Sequence, residues 1–138
     1  YLRLDKNEHK DESSKKINVS PGKIIKLING SPKKIILTTG SVQDIARNMI
    51  SKRFNDYSLY SMPLWGMKTK NVTKNIIKKF DEIITIEDHF YDGGFGSWLK
   101  ECTNNTNIKT KIKSKYIDSN VINEVGSKEY LLKKFGPK

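Results

Sequence analysis

The sequence predicts a three-layer α/β/α domain on a sheet of about five strands, mostly parallel, with the first strand antiparallel. Three observations lead there. Short β-branched runs alternate with segments of helical periodicity, as in chains whose strands are joined through helices. Two of the runs, around Ile35-Ile36-Leu37 and around Ile83-Ile84, are continuously apolar, as strands buried on both faces should be. Only a short Asn29-Gly30-Ser31-Pro32 turn separates the first two strands, too little for a parallel crossover.

Each element follows in order. Pro21-Gly22 punctuates the start of the folded unit, and residues 23–28 read as the first strand. Residues 33–39 form the second, closed by Gly40-Ser41. Val42, Ile45, Ala46, Met49 and Ile50 then recur on one helical face, with Ser41 and Asp44 spaced as a capping box. Residues 57–61 are the third strand, ending at Met62-Pro63. Val72, Ile76, Ile77 and Phe80 mark a second helix, and residues 83–86 a fourth strand. The turn Asp92-Gly93-Gly94-Phe95-Gly96 opens a third helix carrying Trp98, Leu99 and Cys102. Residues 108–117 alternate apolar and polar, as a half-exposed strand does, and Ser127 caps a last helix with Tyr130, Leu131 and Phe135 on its apolar side.

A chain of 138 residues makes one core-bearing domain, preceded here by a polar, aperiodic lead-in over residues 5–20 in which His9 is a solvated group. With 36% hydrophobic and 30% charged residues the composition is that of a soluble globular domain. No apolar run approaches the roughly 18 residues that span a bilayer, and the first residues carry no apolar signal core. The lone Cys102 has no internal disulfide partner and fits a reducing, cytoplasmic setting. The net charge of +11 raises nucleic acid as a partner. Against it, every basic residue except Arg3, Arg47 and Arg53 is a lysine, spread along the chain among many Ile and Asn. Arginine is the better shaped for bidentate phosphate and base contacts.

The chemical candidates cluster after the fourth strand. Glu87, Asp88 and His89 are acid–base residue types, yet acid–base work needs a pocket and a geometry that sequence does not supply. Their plainer reading is a strand end whose polar groups bond the following loop. Gly93, Gly94 and Gly96 permit a tight turn and close backbone approach; their spacing is neither a Walker nor a Rossmann signature. Two histidines and one cysteine, far apart in sequence, make no zinc pattern.

Residues 83–89 followed by Gly93-Gly94-Phe95-Gly96-Ser97 resemble the strand, acidic-histidine and Gly-Gly-x-Gly helix opening of C-terminal domains in transketolase-like thiamine-diphosphate enzymes. Ile36-Leu37-Thr38-Thr39-Gly40-Ser41 is similar to an earlier strand-to-helix turn of that family, and Gly126-Ser127 with residues 131–136 to its closing helix. Where the family has a Pro-Leu-Asp signature this chain reads Trp65-Gly66-Met67-Lys68-Thr69. Transketolase is the favoured member, with deoxyxylulose-phosphate synthases and 2-oxoacid dehydrogenase beta subunits as alternatives.

The resemblance implies that residues 1–20 finish a preceding pyrimidine-binding domain and its linker, and that residues 21–138 form the C-terminal domain. It implies a parent enzyme that uses thiamine diphosphate and magnesium to move a two-carbon ketol unit between sugar phosphates. The catalytic groups would lie in the preceding domains or a split subunit, and this domain would bind no cofactor itself. It would complete a homodimer. Lys6, then Arg3, stand nearest the position of a substrate-phosphate contact, while Glu87, Asp88, His89, Gly93, Gly94 and Gly96 are turn or interface residues. The chain has no Gly-Asp-Gly motif for magnesium diphosphate. A stand-alone polyanion-binding module is the reading of a different class.

Overall fold

The computed structural model describes residues 17–137. Strands β1 (Ile25–Ile28), β2 (Lys34–Thr38), β3 (Ser58–Ser61), β4 (Glu82–Ile86) and β5 (Lys111–Lys115) form one sheet in the order β1-β3-β2-β4-β5. β3, β2, β4 and β5 run parallel, and β1 lies antiparallel against β3. Helices α1 (Gln43–Arg53), α2 (Lys70–Ile77), α3 (Phe95–Glu101) and α4 (Lys128–Phe135) complete the chain order. The sheet is the expected one in strand number and direction. Among the described residues no helix is long and apolar enough to cross a membrane.

Alternation along the central strands supplies both faces with apolar side chains. Ile35, Leu37 and Ile83 point into one core with Ile77 of α2, with Phe95, Trp98 and Leu99 of α3, and with Cys102 just past its end. Ile36, Leu59, Ile84 and Ile86 point into the other, under α1 (Ala46, Ile50). Both cores are dry enough that Ile35, Ile36, Leu59, Ile83 and Phe95 have no exposed surface.

The antiparallel strand arrives by a route that turn length alone did not predict. β1 and β2 are joined by a short turn and yet are not neighbours, because β3 lies between them. The turn crosses over the start of β3. Ser31 N–H donates to the Asp56 carbonyl, Gly30 N–H donates to Ser58 Oγ at 2.9 Å, and Ser58 Oγ donates to the Ser31 carbonyl at 2.8 Å. Two strand spacings are about 10 Å, within the reach of five residues. The crossing is close enough that a Cβ on Gly30 would collide with the Tyr57 carbonyl.

Several local expectations are corrected. Ser41 and Asp44 make no capping box: α1 starts after Val42 with no side-chain cap, and Ser41 Oγ bonds Asp88 instead. The second helix ends at Ile77, so Phe80 reaches the core from the loop beyond it. Val72 faces outward, its place on the buried side taken by Thr73. β5 is shorter than the alternating pattern suggested. Ser127 does cap α4, accepting from Tyr130 N–H at 3.2 Å, but Tyr130 lies outside the apolar side and donates its hydroxyl to Glu124 at 2.9 Å.

β5 is an edge strand, and its sequence shows it. Ile112 packs toward the α2/α3 core, while Lys111 and Lys113 are exposed and Lys115 is half-buried. Regularly spaced lysines on an edge oppose pairing with a foreign strand.

Candidate functional site

The carboxyl ends of the parallel strands bring the candidate residues together. Thr39-Gly40-Ser41 directly follows β2 and Glu87-Asp88-His89 directly follows β4, and these two strands are neighbours in the sheet. From β2 the chain passes through α1 to β3 on one side; from β4 it passes through α3 to β5 on the other. The loops therefore part, and a crevice opens between them.

Glu87 points away from that crevice. It is 1% exposed and accepts hydrogen bonds from the backbone amides of Phe95 and Gly96, the latter at 2.8 Å. Its carboxylate thus occupies the amide donors at the start of α3 that a ligand anion would otherwise use. A Cβ on Gly94 would collide with this carboxylate, and one on Gly96 would lie 2.7 Å from Thr85 Oγ1. Gly93 adopts φ +70 with open space around it, so its part is conformational. Burial pushes the Glu87 carboxyl up, and the two amide bonds pull against it without cancelling the rise.

Asp88 and His89 turn the other way. Ser41 Oγ donates to Asp88 Oδ2 at 2.8 Å, tying the β2 and β4 loops together. Gly40, at φ +67, stands so close that a Cβ there would sit 3.1 Å from Asp88 Oδ1. His89 is exposed, with Nδ1 3.0 Å from the Phe90 carbonyl oxygen. Beside them lies a cleft of about 800 Å³ whose lining includes Val42, Ile45, Phe90, Ile117, Lys128 and Leu131. Asp88 and His89 thus border this cleft, and Glu87, Gly93, Gly94 and Gly96 brace α3 against the sheet. Lys6 and Arg3 lie outside the described residues.

Sequence reasoning missed the far walls of the cleft, which come from the segment after β5 and from α4. No local signal marks Ile117, Val121 or Leu131 as its lining, since their convergence depends on strand order. It also missed a polar cluster at the opposite end of the sheet. Tyr57 donates its hydroxyl to Glu82 Oε2 at 2.7 Å, and Lys113 pairs with Glu82 Oε1 at 2.6 Å. Lys113 and Tyr57 hold the Glu82 carboxyl below the usual range, while burial and then Glu82 push the Tyr57 phenol up to about 12. These groups tie the start of β3 to β4 and β5.

The loop after β3 divides between core and surface. Met62 is fully buried; Trp65 packs tilted against Phe95 and Trp98 and donates Nε1–H to Thr39 Oγ1 at 3.1 Å. Leu64 and Met67 stay out, at 46% and 85% exposure, as does Val72 at 48%.

Among the described residues no three His, Cys, Asp or Glu side chains converge as a metal site would require. Cys102 is buried, and burial pushes its thiol up.

No protein-family profile matches the chain, and no curated protein matches it. Among solved structures it is similar to a chain described as a split gene transketolase, inactive beta4 tetramer, with a TM-score of 0.66 and 16% sequence identity. The match covers 88% of this chain and 40% of that one, so the chain spans well under half the length of its structural neighbour. At that identity the likeness is one of fold.

Proposed function

We propose that this chain, which folds as a transketolase C-terminal-like domain, serves as the structural and dimerisation domain of a thiamine-diphosphate-dependent transferase. The parent would move a two-carbon ketol unit between sugar phosphates, with thiamine diphosphate and magnesium held by other parts of the enzyme. The observation that carries the reading is the fold likeness across 88% of the chain. One feature supports it: Leu64, Met67 and Val72 keep apolar side chains exposed, surface suited to a subunit or domain contact.

The cofactor supplies the carbanion chemistry when it is bound in the parent. The contribution of this domain is to fix the geometry of its neighbours, through a sheet packed on both faces and an α3 anchored by Glu87. The test is a coupled ketol-transfer assay on the purified chain with thiamine diphosphate, magnesium and sugar phosphates. No turnover is expected from the chain alone, and turnover is expected from the intact native protein or complex that contains it. Transfer by the isolated chain, or a native protein of 15.9 kDa that assembles with no thiamine-binding subunit, would overturn the proposal.

A further inference from the structure

β5 leaves one border of the sheet open. It pairs with β4 alone, in parallel register, and among the described residues no strand lies beyond it. Lys111 N–H donates to the Asp81 carbonyl at 2.9 Å, and the Lys115 carbonyl accepts from Glu87 N–H at 3.1 Å. These alternate residues thus direct their main-chain groups at β4. In a parallel ladder the intervening residues face the other way, which turns the N–H and C=O groups of Ile112 and Ser114 outward. An unpaired row of this kind is a template for one more strand.

Side chains along this border also alternate. Ile108 and Ile112 pack toward the α2/α3 core, and Thr110 Oγ1 donates to the carbonyls of Ile77 and Phe80 at 2.9 and 2.7 Å. Between and beside them Lys109, Lys111 and Lys113 are exposed. Lys113 pairs with Glu82 at 2.6 Å, yet its side chain stays 53% exposed, and an ammonium carries three donors. Further along, desolvation and then the charges of Arg53 and Lys113 hold the Lys115 ammonium below its usual range, a sign of crowded positive charge. A basic strand is repelled at such a border. A strand with carboxylates at every second residue meets the lysines in step, because alternate side chains lie about 6.6 Å apart on both strands and opposite charges attract across a strand pair. No two acidic residues of this sequence stand two positions apart, so it holds no such strand itself. A nucleic acid would match the charge but has no peptide ladder to meet Ile112 and Ser114.

We propose that β5 is a docking edge for an extended acidic segment of another protein, which adds to the sheet with its carboxylates opposite Lys109, Lys111 and Lys113. Main-chain bonds to Ile112 and Ser114 supply the attachment, and the lysines select the partner. The same lysines that turn away copies of this chain admit a strand of complementary charge. The inference goes beyond the transferase reading and does not rest on it.

The test is a titration of the chain with a short end-blocked peptide of alternating Glu and Thr, followed by ¹H–¹⁵N correlation spectra and amide exchange. The peptide should shift the amides of residues 109–115 and slow exchange at Ile112 and Ser114. Three controls should each bind at least several-fold more weakly: the same composition with its glutamates contiguous, a version with Lys in place of Glu, and a version N-methylated on the amides that would face β5. Lys111→Glu should weaken the alternating peptide about tenfold, as attraction becomes repulsion. If that variant fails to fold, the N-methylated peptide against its parent on the unaltered chain still decides. No shifts with the alternating peptide at millimolar concentration, equal affinity for the contiguous-acid peptide or for oligouridylate, or unaltered affinity in folded Lys111→Glu would overturn the proposal.

Discussion

At Glu87 a carboxylate with almost no exposed surface faces the amides of Phe95 and Gly96. Replacing it by Gln keeps the shape but sets an amide N–H against one of those donors. Glu87→Gln should therefore lose about 2 kcal/mol, the usual cost of a buried donor left unmatched, measurable by chemical denaturation. The Tyr57–Glu82–Lys113 cluster makes a second prediction, in pH. The folded-state pKa of Glu82 is lowered. Its contribution to stability is therefore present above the unfolded carboxylate pKa and lost as pH falls through the folded one. That of Tyr57 is raised to about 12. Its contribution is complete below the unfolded phenol pKa of about 10 and lost as pH rises through the folded value. Tyr57→Phe should cost about 1.5 kcal/mol near neutrality and remove the alkaline slope from a stability–pH profile. An unaltered slope in the variant would show that another group carries it.

The elements depend on close approaches that only glycine allows. A Cβ at Gly96 would press on Thr85 and Ser114, pushing α3 away from β4 and β5. Gly96→Ala should destabilise by about 2–3 kcal/mol, whereas Gly93→Ala, in open space at positive φ, should cost about 1 kcal/mol. Thermal melts of the pair would separate packing from conformational strain. Much at this scale was legible in the sequence. Ile35-Ile36-Leu37 and Ile83-Ile84 declared strands buried on both faces, and the glycine turn before Phe95 declared a helix start. What was not legible depended on partners far along the chain. Ser41 had the spacing of a cap, but Asp88, 47 positions away, took its hydroxyl. The lone turn at Gly30 announced an antiparallel strand but gave no hint that β3 would slip between. Val72 and Tyr130 had the right period, yet their helices turned them to solvent. Of the candidate site, Glu87 to His89 and the glycines stood out locally, while the cleft walls awaited the strand order.

Across the whole molecule, stability is unevenly distributed. α4 has no fully buried side chain and is held by half-buried Leu131, Leu132 and Phe135, by its Ser127 cap and by an Asp118 N–H bond to the Phe135 carbonyl. Its amides should exchange with deuterium well before those of β2 and β4, in which every side chain after the first residue of each strand is buried. Equal protection of α4 and the central strands would contradict this. The apolar surface at Leu64 and Met67 bears on association. Met67→Lys should leave the fold unchanged and, if the chain self-associates, shift its sedimentation toward the monomer.

The two margins of the sheet bear differently on how copies of this chain can come together. Along β5, Lys111, Lys113 and Lys115 recur at every second position. Lys113 is paired with Glu82, but docking two such borders side by side would still bring lysine-bearing strands together, which opposes main-chain pairing. Growth of one continuous sheet through successive molecules is thereby barred at that border. Crowding in a cell should then favour face-on or corner contacts over fibrous stacking, with these edge lysines acting as a guard against polymerisation.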